Sequence, residues 1–170
     1  ISKIGKNLNR QKNAFQGKIF IPSINEKSDV PITMSTLCEG LKRSNMIGKD
    51  CLFVDSYSTT KSFATNRIKV FFDIVADLFP EDWNKGENGF LCSNSGISIF
   101  ILILREIIAY LNYKNPKIMK QTGVKNFETE CRELIKPVID YLKNLKDEDR
   151  DRLRRETTIV QQKETAKLLM

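Results

Sequence analysis

Apolar residues recur at three- and four-residue intervals in four stretches of the chain, the spacing that places them on one face of an α-helix. Serine and threonine residues that can cap a helix stand before the first three stretches. Glycine or proline is placed to end several of them. The predicted helices begin near Thr33 or Ser35, residues 58–60, Ser93 or Ser95, and Phe127, and end near Gly48, Pro80, Tyr113 and Leu145.

Extended structure is predicted in two short apolar runs only. Residues 18–22 form a β-type run that Pro22 ends, and residues 51–54 form the second. A polar loop is expected over residues 80–89, and Pro137 is expected to kink or divide the last helix. These patterns predict a mainly α fold, a compact multi-helix domain around one apolar central helix with at most two short strands near the N-terminus.

The stretch from Ile97 to Leu111 is the most apolar part of the chain. Arg105 and Glu106 interrupt it, so it falls short of the roughly 18 uninterrupted apolar residues of a membrane span. Its few polar residues share one narrow helical stripe, which is typical of the central helix of a soluble core. The sequence therefore predicts a cytoplasmic protein without a membrane partner. The stripe consists of Asn94, Ser98, Arg105 and Asn112.

Composition divides the chain into three parts. Residues 1–17 are predicted to be a basic arm or linker, because they are rich in Lys, Asn and Gln and their apolar residues show no clear period. Residues 18–146 are predicted to be the helical domain. Residues 147–170 have strong helix formers but few apolar residues, which predicts one charged peripheral helix held by pairs such as Glu148–Arg152.

Several classes of chemistry are excluded by residue content. The 170 residues include no histidine, which removes Ser-His-Asp and Cys-His catalysis and every His-ligated metal site. The four cysteines, Cys38, Cys51, Cys92 and Cys131, lack the spacing of a zinc site and are predicted to be reduced, mostly buried thiols. No phosphate-binding glycine loop is present. We therefore expect no catalytic residues, no metal and no cofactor in this chain.

Basic charge is the clearest functional feature. Lys and Arg number 28 against 21 Asp and Glu, a net charge of +7. Residues 1–18 hold five cations and residues 114–125 hold four, with no acid in either stretch. Positive charge gathered in this way favours contact with nucleic-acid phosphates, although lysines also simply solubilise a surface. The predicted phosphate contacts are Lys3, Lys6, Arg10, Lys12, Lys18, Lys42, Arg43, Lys114, Lys117, Lys120 and Lys125, and Lys61, Arg67 and Lys69 can extend them.

Two other functions remain open from the residues alone. In the first, the chain is a protein-interaction module whose residues 147–170 dock into a partner's groove. In the second, Asp73, Asp77 and Asp82 hold a metal for a nuclease, although acids at helical spacing are typical of the solvated side of a helix.

Three parts of the chain carry a family resemblance: residues 31–43, residues 69–75 with 80–83, and residues 91–97. Together they resemble the C-terminal helical part of DGQHR-domain proteins, a family that includes the B component of Dnd-type DNA sulfur (phosphorothioate) modification systems. The resemblance spans about residues 18–113. It implies a bacterial protein linked to DNA modification, defence or its regulation, with DNA and proteins of the modification system as partners.

The family's Asp-Gly-Gln-His-Arg signature and its ParB-like α/β portion would lie upstream, and no signature residue maps onto this sequence. Because the chain begins at Ile1, we expect it to be part of a longer protein. The expected function is that of a non-catalytic helical domain that contributes phosphate-backbone DNA binding.

Overall fold

The computed structural model describes residues 2–21, 30–46, 57–115, 124–156 and 158–170. This part of the chain contains eight α-helices and two short strands, which confirms the predicted mainly α fold. It also contains a short 3₁₀ turn, Gly86–Asn88. In chain order the elements are α1 (Ser2–Arg10), β1 (Ile19–Phe20), β2 (Ile32–Thr33), α2 (Met34–Arg43), α3 (Tyr57–Leu78), α4 (Pro80–Asn84), α5 (Asn94–Lys114), α6 (Val124–Asn144), α7 (Asp147–Arg154) and α8 (Ile159–Leu169).

Local sequence determines several helix ends. Thr33 caps α2 by accepting a hydrogen bond from the Thr36 backbone N–H at 3.1 Å. Ser93 caps α5 in the same way, accepting from the Gly96 N–H at 3.0 Å. Because an N-cap oxygen satisfies a backbone donor that has no partner in the first turn, both starts fall where the sequence predicts them. Proline likewise ends α3 at Leu78, two residues before Pro80.

Other boundaries differ from the prediction. Helix α2 ends at Arg43 and not near Gly48, which lies outside the described residues. The Ser44 hydroxyl donates to the Gly40 carbonyl, and Asn45 takes a left-handed backbone with φ 53°, so polar residues end the helix early. Helix α3 already begins at Tyr57, so residues 58–60 lie inside it.

The structure also corrects the loop expected at residues 80–89 and excludes a division of the last helix. Residues 80–89 do not form a plain polar loop, because Pro80 starts the short helix α4 and a 3₁₀ turn follows. Helix α6 runs continuously through Pro137 and is not divided there.

The two strands pair in parallel, with Ile19 opposite Ile32 and Phe20 opposite Thr33. Asparagine side chains bind their outer edges: the Asn9 Oδ1 accepts from the Ile19 N–H at 2.9 Å, and the Asn94 Oδ1 accepts from the Thr33 N–H at 3.0 Å. The strand expected at residues 18–22 is therefore present. The one expected at residues 51–54 lies outside the described residues.

Helix α5 is the centre of the core. Its length and hydropathy alone meet the criteria for a membrane span, but most of its apolar window is buried inside the protein, as the polar stripe predicts for a core helix. Helices α2 and α8 pack along it, and α3 packs against α6. Aromatic rings fill the space between α3, α4, α5 and the segment after α1. They are Phe15, Phe71, Phe72, Trp83, Phe90 and Phe100.

The N-terminal residues are part of this core. The prediction of an irregular arm is wrong for residues 2–10, which form α1 with Ile4 and Leu8 buried. The chain that follows is also anchored, since the Ala14 N–H donates to Asp73 at 2.6 Å and Phe15 is fully buried. The core thus extends into residues expected to lie outside it.

The C-terminal residues form two helices and not one. Helices α7 and α8 both pack on α5, and the Ser95 hydroxyl of α5 donates to the Glu156 carbonyl between them. Thr165 and Ala166 of α8 are buried. One face of this charged segment is therefore covered by the chain itself.

The cysteines follow the prediction where they are described. Cys92 and Cys131 are buried free thiols, and Cys38 is half-buried, while Cys51 lies outside the described residues. Burial raises the pKa of the Cys92 and Cys131 thiols to about 12, since a low-dielectric surrounding disfavours the thiolate.

We expect Cys92 and Cys131 to resist alkylation in the folded protein, because the thiolate is the reactive species. Peptide mapping after a maleimide pulse at pH 8 is expected to find both residues unlabelled, and labelled once the protein is unfolded in urea. Rapid labelling of both in the native state would contradict the burial of these thiols.

Candidate nucleic-acid interface

Helix α1 presents three cations on one face. Ile4 and Leu8, one turn apart, pack into the core. Lys3, Lys6 and Arg10 follow the complementary spacing of three and four residues, so they share the opposite side of the helix, and all three are exposed. We call Lys3, Lys6 and Arg10 the α1 cationic face. The helix therefore holds three positive charges in one row on the protein surface.

No carboxylate in the described part of the chain neutralises this row. None of its three side chains forms an ion pair with any residue that the structure describes. Like charges three and four residues apart destabilise a helix by about 0.2–0.5 kcal/mol per pair. Lys3 also lies in the first turn, where the helix dipole disfavours a cation, whereas Arg10 lies in the last turn, where the dipole favours one. The mutual repulsion of the three cations remains, and a bound anion would relieve it.

Lys12 borders the α1 cationic face. It is exposed in a segment whose backbone is fixed, since the Asn13 amide donates to the Leu8 carbonyl at 2.8 Å. Lys18, at the start of the first strand region, is half-buried. The cations of residues 3–12 are therefore the accessible part of the N-terminal set.

The α2 cations are only partly available. Helix α1 lies against the start of α2, where Gly5 faces Met34 and Leu37, and α2 ends at Lys42 and Arg43. Lys42 is exposed. Arg43 donates to Glu39 at 2.7 Å, an exposed pair at i,i+4 spacing that cancels its charge locally.

The second predicted basic cluster does not form a free cationic surface in the described residues. Lys114 pairs with Glu130 on α6 at 3.0 Å, and the hydrogen bond to that carboxylate raises the pKa of Lys114. Lys117 and Lys120 lie outside the described residues, as does the side chain of Lys125. The expectation of an unopposed cluster is thus wrong for Lys114.

Two of the cations expected to extend the surface have structural roles. The Arg67 side chain is fully buried, with its guanidinium between the Phe63 ring at 4.7 Å and the Phe127 ring at 4.6 Å. Burial lowers the pKa of Arg67 to about 10. Lys69 pairs with Asp73 at 2.7 Å. The side chain of Lys61 lies outside the described residues.

The three acids of the nuclease alternative are each engaged elsewhere. Asp73 binds Lys69 and the Ala14 N–H, and Asp77 binds Arg132 of α6 at 2.8 Å. Asp82 is buried and accepts from the Leu91 N–H at 2.7 Å. No group of three or more His, Cys, Asp or Glu that could hold a metal ion occurs among the described residues. No observation on these acids favours a metal-dependent nuclease.

Sequence reasoning identified the cations of α1 but not the helix that aligns them. The spacing of Ile4 and Leu8 was a usable signal, because it matches one helical face while the cations match the other. Two apolar positions in nine residues are a weak signal, however. The helix is seen only in the structure, where α1 packs against α2 and α3.

Comparison of the chain with protein-family models, with curated proteins and with solved structures finds no match. The interpretation of the α1 cationic face therefore depends on its own geometry and charge.

Proposed function

We propose that this domain binds the phosphate backbone of DNA through the α1 cationic face. The observation that carries the proposal is the row of three exposed cations without an acidic partner in the described structure. Each Lys or Arg placed on a phosphate releases condensed counterions, which is the main source of sequence-independent affinity for DNA.

The dimensions of the helix support this contact. Lys3 and Arg10 are separated by about 10 Å along the axis at about 1.5 Å per residue. One strand of B-DNA carries a phosphate about every 3.4 Å of axis, so about three phosphates fall within that length. Because Ile4 and Leu8 fix α1 to the core, the three cations are held together before DNA arrives.

The proposal includes the biological setting that the resemblance to DGQHR-domain proteins implies. That resemblance favours DNA over other polyanions, and the setting we propose is bacterial DNA modification, defence or its regulation, in the cytoplasm. Phosphate contacts position a protein without reading sequence, so the role proposed for this domain is non-catalytic and non-specific.

Removing the α1 cationic face is expected to weaken duplex binding at least tenfold at low salt. The triple variant Lys3→Ala/Lys6→Ala/Arg10→Ala is compared with wild type on a labelled duplex of about 20 base pairs by fluorescence anisotropy over a salt series. Losing three phosphate contacts is expected to reduce the slope of log K against log salt concentration by about 2–3.

A matched control removes three exposed lysines elsewhere, Lys85, Lys136 and Lys146. It carries the same change in net charge and is expected to keep most of the affinity and the slope. If wild type does not bind at low salt, or if both triple variants lose affinity equally, the proposal is wrong. Circular dichroism of both variants verifies that α1 and the fold persist.

A further inference from the structure

A groove runs along α5 beside α8. Its first section lies between α2 and α8, with α5 as the floor, and has a volume of about 270 Å³. Its second section lies between α5 and α8 and has a volume of about 510 Å³. The two sections share Leu102 and Lys163, so they form one continuous groove. From Asn94 to Glu106 the floor is about 18 Å long at about 1.5 Å per residue, which matches roughly six residues of an extended peptide.

Cations predominate along its walls. Lys163 and Lys167, one turn apart on α8, are exposed and form no ion pair with a described residue. The two carboxylates of the lining already have partners, since Glu39 binds Arg43 at 2.7 Å and Glu106 binds Arg105 at 3.3 Å. Among the residues that the structure describes, the unopposed charge of the groove is therefore positive and lies on α8.

The remaining lining suits a peptide better than a nucleic acid. Ser35, Ser98 and Gln162 each form one hydrogen bond within the chain and keep oxygen acceptor capacity that can bind peptide N–H groups. Ile159 and Met170, 40% and 60% exposed, offer aliphatic surface. Within the described residues the lining includes no aromatic side chain on which a base could stack, the usual basis of single-strand binding.

We propose that this groove is the docking site for an acidic, aliphatic peptide segment of a partner protein. Carboxylates of the segment pair with Lys163 and Lys167, and its aliphatic side chains cover Ile159 and Met170. The proposal uses residues separate from the α1 cationic face, so it stands or fails independently of DNA binding.

The proposal is tested by selecting a displayed library of random octapeptides for binding to the full 170-residue chain. Enriched peptides are expected to combine Asp or Glu with Leu, Ile or Val. Synthetic labelled copies are expected to bind Lys163→Ala/Lys167→Ala about tenfold more weakly than wild type, as the loss of two exposed ion pairs predicts. The Lys163→Arg/Lys167→Arg variant is expected to retain binding, because it keeps both charges.

Two control variants separate this site from others. Lys136→Ala/Lys146→Ala removes the same charge outside the groove, and Lys3→Ala/Lys6→Ala/Arg10→Ala removes the proposed DNA contacts. Both are expected to bind the peptides like wild type. Failure to enrich any peptide, enrichment of basic ones, or equal binding to Lys163→Ala/Lys167→Ala overturns the proposal. The proposal is also wrong if acidic peptides do not bind and a labelled single-stranded oligonucleotide binds in their place, with an affinity that depends on Lys163 and Lys167.

Discussion

Replacing Phe15 with alanine is expected to lower the free energy of unfolding by about 3–5 kcal/mol, the range for a buried Phe truncation. The ring is fully buried. It lies 4.7 Å from the Phe72 ring and 5.9 Å from the Trp83 ring, in an edge-on arrangement with Trp83. Such aromatic pairs contribute about 0.5–1.5 kcal/mol beyond the area they bury, and the cavity left by truncation cannot be filled from solvent. The substitution therefore weakens the link between the N-terminal segment and α3 and α4.

Urea denaturation followed by circular dichroism at 222 nm measures this effect without using Trp83, whose surroundings the substitution changes. Gln16→Ala is the control, because Gln16 is the exposed neighbour of Phe15 and its replacement is expected to change stability by no more than about 0.5 kcal/mol. If Phe15→Ala also changes stability by less than about 1 kcal/mol, the first 17 residues behave as the detachable arm that composition predicts.

Replacing Gly96 with alanine is expected to lower the free energy of unfolding by about 2–4 kcal/mol, from overpacking and from damage to a helix cap. A Cβ at this position would lie 1.9 Å from the Phe90 carbonyl oxygen and 3.0 Å from the Leu91 carbonyl oxygen. Both atoms belong to the backbone, which cannot rotate away as a side chain can. The Phe90 oxygen also accepts from the Ser93 hydroxyl at 2.7 Å, so moving it disturbs the residue that caps α5.

Gly40 provides the matched control. It also lies within a helix, and its added Cβ would lie 2.8 Å from the Cδ1 of Ile101, the end of a flexible side chain. Alanine gains about 1 kcal/mol of helix propensity over glycine, which offsets the small shift of Ile101. Thermal denaturation of Gly40→Ala is expected to give a stability within about 1 kcal/mol of wild type. Equal losses in the two variants would contradict the close approach of the Phe90 turn to α5.

Short-range effects explain which parts of the fold could be predicted. The Thr33 and Ser93 caps act within three residues of themselves, and Pro80 acts on the helix just before it. Helix α5 carries apolar residues on more of its circumference than an exposed helix does, so its composition predicts that it lies in the core. The end of α2 was harder to predict, because Ser44 and Asn45 compete with Gly48 as stop signals and the sequence does not rank them.

Some features of the candidate site could likewise be predicted from local sequence, and others could not. The row of Lys3, Lys6 and Arg10 follows from helical spacing once α1 is known to be a helix, and the Glu39–Arg43 pair follows from i,i+4 spacing. The Lys114–Glu130 pair joins residues on two different helices, so no local pattern contains it. The same is true of Arg67, whose place between Phe63 and Phe127 depends on how α3 meets α6.

The sequence by itself determined that this protein is helical, that α5 is its core helix and that its excess positive charge is concentrated in residues 1–18 and 114–125. These properties depend on neighbours a few residues apart and on the total number of apolar positions. Only the tertiary structure decided which cations are accessible, that Ile4, Leu8 and Phe15 belong to the core, and that α2, α5 and α8 border a groove. Those outcomes depend on side chains brought together from distant parts of the chain, and their energies arise only when the helices pack.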